Sequence, residues 1–202
     1  RVMLEKRNTL AKLSPNKDYI IDSEGQRVEY TDPRVVHVWS FDFSPYGKRL
    51  VERVYEKYNA KVRIAEKTCP ELLQYAKQLC SGRECLPMAA IAGVTVKDIQ
   101  NFRQENEVTL YLSLDETSSC QFSAWPVIWD AFAERLNIKN TVFSLWFKRS
   151  NGFLGMGNLF AIKIATSYIL GDLFVEAVNT LKCLAQDKEA AIKIFETEFE
   201  IF

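Results

Sequence analysis

Val35-Val36-His37-Val38-Trp39-Ser40-Phe41 decides how the rest of the chain is read. The run is β-branched and aromatic, carries no formal charge and is opened by Pro33, which is the pattern of a strand buried on both faces. Ser44-Pro45 follows it as an N-cap and first-turn pair and predicts a helix from Tyr46 to Tyr58. In that helix Leu50, Val51, Val54 and Tyr55 recur at helical spacing, and Asn59 supplies the stop. Working outward, Ala60 to Ala65 reads as a second strand and Pro70 to Cys80 as a second helix. A further helical stretch falls between Val96 and Arg103. Val108 to Leu114 is a third strand, Ala124 to Leu136 a helix, and Thr141 to Phe147 a fourth strand. Strand and helix alternating at these intervals specify crossovers in a parallel sheet. The expected architecture is α/β: a three-layer sandwich with a mainly parallel sheet, followed by a helical C-terminal extension (Asn158 to Lys182 and Asp187 to Phe202).

Upstream of the first strand, residues 1–33 are charged and turn-rich, with Ser14-Pro15-Asn16 and Ser23-Glu24-Gly25, and read as an arm or linker. Within it Tyr19-Ile20-Ile21 is a candidate short strand. The chain thus divides into an N-terminal arm (1–33), an α/β domain (34–150) and a helical extension (151–202). It opens on Arg1 rather than Met and closes on a helix-like run without a C-cap, so a longer parent chain is expected.

Composition narrows the function classes. The chain has 202 residues, with 26 basic and 26 acidic side chains that cancel, so no global field draws it to nucleic acid or an anionic membrane. Apolar runs such as Ile162 to Val175 are interrupted by Lys163 and Asp172, and no window of roughly 18 uncharged apolar residues is present. Five cysteines, an odd number with no secretory h-region, read as reduced thiols in a cytoplasmic protein.

Among those cysteines Cys85 stands out. It lies in Ser81-Gly82-Arg83-Glu84-Cys85-Leu86-Pro87, and Pro87 favours the first turn of a helix over Met88 to Ala92. A thiol at the positive end of a helix suits a metal, a cluster or a reactive thiolate. Cys120, in the polar loop Asp115 to Gln121, follows the third strand; both loops would gather at the carboxyl ends of the strands, where open α/β sheets bind ligands. Residue spacing alone leaves three uses open: cluster ligation, a thiol-based redox role for Cys85, or packing as small hydrophobes. Cys69 and Cys80 are secondary candidates, and Cys183 reads as core.

Other features point away from familiar chemistry. His37, the single histidine, sits inside a strand and reads as structural, leaving little material for histidine-based zinc sites or nucleophilic catalysis. Gly152 to Gly157 lacks the Walker lysine and the dinucleotide-binding spacing, so no nucleotide site is expected. Trp125 and Trp129, four apart, read as a core stripe. Asp115-Glu116 offers an acid–base pair or simply a solvated loop.

The motif order resembles the CoA-substrate-specific enzyme activases and the related 2-hydroxyacyl-CoA dehydratase and benzoyl-CoA reductase subunits, most closely the dehydratase-like region of the large activators. Ser81 to Pro87 with Gly93 resembles that family's Gly-Lys-Glu-Cys-(Tyr/Leu)-Pro segment and its trailing glycine. Ser118-Ser119-Cys120-Gln121-Phe122-Ser123-Ala124-Trp125 stands where the family has Gly-Pro-Cys-Arg-Phe-Gly-Gln-Tyr. Gly171-Asp172-Leu173-Phe174 resembles a Gly-Asp-Ile-Leu-like segment on a later helix. The likeness spans about Arg34 to Glu200, with Ser118-Ser119 and Gln121 departing from the pattern. It implies an iron–sulfur, electron-transfer or dehydratase-like component holding a [4Fe–4S] or related cluster. In that reading Cys85 and Cys120 are metal ligands, Cys80 or Cys69 completes the set, and further ligands come from elsewhere. An ATP-dependent activase and a dehydratase subunit are the implied partners, a second copy of the chain another. The chain would then be part of the dehydratase or of its activator. The alternative is a cluster-free structural or interaction domain of a larger multidomain protein.

Overall fold

The computed structural model describes residues 10–65, 68–113, 125–145, 153 and 155–201. Its centre is a four-stranded parallel sheet built from β4 (Val35–Trp39), β5 (Lys61–Ile64), β6 (Val108–Ser113) and β7 (Thr141–Leu145), in the order β5-β4-β6-β7. A small antiparallel sheet, β1 (Lys12–Leu13), β2 (Ile20–Ile21) and β3 (Arg27–Val28), precedes it. The connections are α1 (Pro45–Lys57), α2 (Leu72–Ala76) with α3 (Leu86–Asn101), and α4 (Trp125–Arg135); α5 (Asn158–Leu184) and α6 (Lys188–Ile201) follow.

Side-chain alternation along the strands makes two cores. Val35 and Trp39 of β4, Leu110 and Leu112 of β6 and Val142 of β7 face one side, where Val51 and Tyr55 of α1 and Phe160 and Ile164 of α5 cover them. Val36, Val38, Tyr111 and Phe143 face the other, under Met88 and Ala92 of α3 and Trp125 and Trp129 of α4. Three layers result. The helices after residue 157 are part of them: α5 lies along α1 and reaches the main core, while Phe199 of α6 meets Tyr46 at a ring separation of 4.9 Å.

Caps and close approaches fix the elements. Ser44 Oγ accepts the Gly47 N–H at 3.2 Å with Pro45 in the first turn, and Asn59 turns the chain with φ 53°, as the sequence predicts. The α3 helix is longer than the sequence suggested. It runs unbroken from Leu86 through Gly93 to Asn101, whereas α2 shrinks to Leu72–Ala76. Gly93 explains why both helices fit: a Cβ there would stand 2.2 Å from the Leu72 carbonyl oxygen, so only glycine admits the contact.

The segment read as an arm is folded between residues 10 and 33. Ile20, Val28 and Tyr30 are buried in the core of the parallel sheet. Ser23 and Asn140 tie the two sheets together: the Ser23 N–H donates to Asn140 Oδ1 at 2.9 Å, and the Asn140 N–H donates to Ser23 Oγ at 2.7 Å.

Candidate functional site

The chain leaves β4 for the edge strand β5 and then returns across the sheet to β6, so its direction of travel reverses between β4 and β6. Outside the carboxyl ends of those strands lies the crevice in which open α/β sheets bind ligands. Because α3 ends at Asn101, seven residues before β6 begins at Val108, its first turn lies toward the same carboxyl ends.

Cys85 is the N-cap residue of α3, in extended backbone (φ −66°, ψ 155°), with Pro87 in the first turn as expected. The loop before it is stapled by Glu84. That carboxylate accepts hydrogen bonds from Ser81 N–H (3.0 Å), Ser81 Oγ–H (2.9 Å), Gly82 N–H (2.9 Å) and Arg83 N–H (3.1 Å). These donors, the Ser81 amide first, bring the Glu84 pKa down to about 2. Cys80 and Cys85 flank the loop, both half-buried, and both pack on the apolar cluster of Met88, Trp125, Trp129 and Phe143. Burial and then the Glu84 charge push the Cys80 thiol upward, so a metal at Cys80 must displace a firmly held proton.

Among the described residues, two buried polar atoms near this edge have no hydrogen-bond partner. Ser40 Oγ, just past β4, and Trp125 Nε1, in the first turn of α4, belong to residues 3% and 1% exposed. Buried donors are almost always satisfied, and groups left open are where a ligand or an ordered water is expected. Across the crevice, a cavity of about 700 Å³ opens at the start of α1 beside Asp42, Ser44, Lys48, Tyr168 and Asp172.

The remaining candidates separate. Cys69 lies before α2, and its thiol donates to Glu71 Oε2 at 3.5 Å. Cys183, expected in the core, is exposed in the last turn of α5 because that helix turns its inner face to α1 through Phe160, Ile164 and Gly171. Cys120 lies outside the described residues, as do Asp115, Glu116, Gly152 and the Trp146-Phe147 end of the fourth predicted strand. Among the described residues, no three His, Cys, Asp or Glu side chains come together as a metal-holding group. His37 is structural: it is fully buried, and its Nε2 lies 3.0 Å from the Tyr30 carbonyl oxygen. Since a carbonyl can only accept, Nε2 carries a proton, and burial, which lowers the pKa to about 4, keeps the ring neutral near pH 7.

A second polar centre has no counterpart in the sequence reading. Arg63 of β5 donates to both carboxylate oxygens of Asp98 (2.7 and 2.8 Å) and to both of Glu107 (2.6 and 2.7 Å). Tyr111 Oη donates to Asp98, and Thr109 Oγ1 to Glu107. The only signal was a lone arginine among apolar neighbours in Lys61-Val62-Arg63-Ile64, with carboxylates 35 and 44 positions away. One guanidinium serves two carboxylates, and every carboxylate oxygen accepts at least one hydrogen bond, so the cluster reads as a clasp joining β5, α3 and β6 rather than as a reactive centre.

No family model, curated protein or solved structure matches this chain.

Proposed function

We propose that this chain is the thiol-bearing α/β component of a cytoplasmic, ATP-dependent 2-hydroxyacyl-CoA dehydratase activation system, with Cys85 as a ligand of an iron–sulfur cluster. The observation that carries the reading is the place of Cys85: the N-cap of a 16-residue helix, on the carboxyl side of a parallel sheet, in a loop held by four hydrogen bonds to Glu84. The resemblance of Ser81 to Pro87 to the family's cysteine segment points to the same residue.

The donor set fits such a group in part. A cubane takes four thiolates, and the described residues bring Cys80 and Cys85 to one edge. Cys120 and a partner chain are the sources of the others in this proposal. When bound, the group would pass single low-potential electrons from an activase to an acyl-CoA dehydratase. The protein's own residues do the rest. Glu84 fixes the loop, and the α3 N-terminus favours a thiolate at Cys85. Met88, Trp125 and Trp129 exclude water behind it, and the unpartnered Trp125 N–H and Ser40 hydroxyl are available as donors to sulfur.

Alkylation of the anaerobically purified protein, read by mass spectrometry, tests this. Cys85 and Cys120 should be protected until the metal is removed by acid, while exposed Cys183 reacts throughout. A colourless protein in which Cys85 alkylates at the rate of Cys183 overturns the proposal. It would leave the second reading, a cluster-free interaction domain, which the absence of a three-ligand group among the described residues favours.

A further inference from the structure

The α5 helix is 27 residues long and, by length and composition alone, apolar enough to cross a membrane. One face is committed to the fold: Phe160, Ile164, Ser167, Gly171 and Val178 are buried. The other is not. Leu159, Ile162, Ile169, Leu173 and Leu184 are 59%, 60%, 62%, 52% and 78% exposed. With Thr166, Ala177 and Thr180 they stand at intervals of 3, 4, 3, 4, 4, 3 and 4 residues, which places all eight on one stripe of the helix. The stripe carries no charge, and its small residues leave hollows between the large ones, the relief that receives the knobs of a second helix. At about 1.5 Å per residue it is roughly 38 Å long and, taken as about 10 Å wide, covers on the order of 400 Å². That is the size of the largest apolar patch on a typical monomer, which is often functional.

Charge identifies the occupant. Asp172 and Glu176, both exposed and one turn apart, border the stripe on one side. On the other, Lys163 is half-buried with its ammonium 5.4 Å from the Tyr58 ring centroid. Two copies of the chain paired along α5 would set the acidic border against itself or against a side already packed on the fold. An anionic bilayer repels the same two carboxylates, and helices that lie on membranes carry Lys and Arg on their polar face. A partner helix with an apolar stripe bordered by Lys or Arg meets both the relief and the charge. We propose that the outer face of α5 is the docking seam for a basic amphipathic helix of a partner polypeptide. Pairing over this length buries roughly 1,000 Å² in total, the range of reversible complexes. The seam is independent of whether Cys85 holds a cluster.

The test uses the whole chain and two synthetic helical peptides of equal apolar pattern, one flanked by Lys and one by Glu, with binding read by fluorescence anisotropy. The Lys peptide should bind about ten-fold tighter than the Glu peptide. Ile169→Glu should weaken it about ten-fold or more at an unchanged melting temperature. The double variant Asp172→Lys/Glu176→Lys should reverse the order of the two peptides. Equal binding or no binding of the two peptides, or indifference to Ile169→Glu, overturns the proposal. So does self-association in sedimentation velocity, or binding to phosphatidylcholine–phosphatidylserine vesicles, if Ile169→Glu abolishes it; the first assigns the stripe to a second copy and the other to a lipid surface.

Discussion

At the residue scale, burial decides which groups titrate and where. Burial lowers the His37 pKa to about 4, against a partial opposing pull from the Tyr30 carbonyl. An unfolded chain holds its histidine at about 6.5. Between those values the unfolded state takes up a proton that the folded state refuses, so this contribution is complete above about 6.5 and is lost as the pH falls toward 4. Denaturant melts should show a loss on the order of 3 kcal/mol across that window, beyond the loss in His37→Gln, which lacks the titrating ring. Equal pH profiles for the two proteins would refute it. Glu84 works with the opposite charge but the same direction in pH. Its contribution to the loop is present above the usual carboxyl range and disappears only as the pH approaches about 2. The Ser81 and Gly82 amide resonances should therefore hold their shifts down to strongly acid pH and lose them in Glu84→Gln. Such details were only half legible in the sequence. A lone histidine between valines signals a structural role, whereas nothing in Ser81-Gly82-Arg83-Glu84 announces that the carboxylate folds back on its own loop.

At the element scale, close approaches and one ion cluster hold the layers in place. A Cβ at Gly171 would stand 2.4 Å from the Gly47 Cα and 2.5 Å from its nitrogen, so Gly171→Ala must part α1 from α5. Overpacking of this kind costs about 1–3 kcal/mol, and Gly93→Ala should lose a similar amount where α3 meets Leu72. Thermal or urea melts check both, and unchanged midpoints would mean that the helices yield freely. Arg63→Met leaves the Asp98 and Glu107 carboxylates, 7% and 4% exposed, without their cation. The expected loss is about 3 kcal/mol, the low end for a broken buried pair, because the guanidinium keeps 24% of its surface in water. Burial works to raise the Glu107 pKa, but the Arg63 hydrogen bonds and charge overcome it and the net shift is downward. Its stabilisation is therefore present above the usual carboxyl range and fades as the pH drops, a component that Arg63→Met should remove. Strands β4, β6 and β7 and the Ser44 cap were readable because local composition and tertiary demand agree. The continuity of α3 was not: its start at Pro87 and the stretch from Val96 read as separate, because glycine inside a helix reads as a break until Leu72 is seen beside it.

At the scale of the whole molecule, the parallel order β5-β4-β6-β7 sets Cys85 toward the carboxyl ends of the strands, and α5 keeps an apolar stripe on its outer face. The alternation of strands and helices made the fold class legible from Arg34 onward. Of the short strands β2 was legible, as Tyr19-Ile20-Ile21, whereas β1 and β3 were hidden because each is 2 residues long and the small sheet gains its stability from burying Ile20, Val28 and Tyr30 against the larger one. The site was legible as one loop. Placing Cys80 on the same apolar cluster as Cys85 depends on how α2 ends, and the clasp around Arg63 depends on contacts remote in sequence. Ile169→Glu and Leu173→Glu, both on the exposed stripe, should leave the melting temperature of the isolated chain within about a degree, since surface changes of this kind stay within about 0.5 kcal/mol. The most direct measurement for the thiol edge is the iron and acid-labile sulfide content of anaerobically prepared protein beside a folded Cys85→Ser variant. Iron and sulfide in equal amounts, lost on that single substitution, are the expected result. Protein free of iron, or a cluster retained by Cys85→Ser, would contradict the ligand role of Cys85.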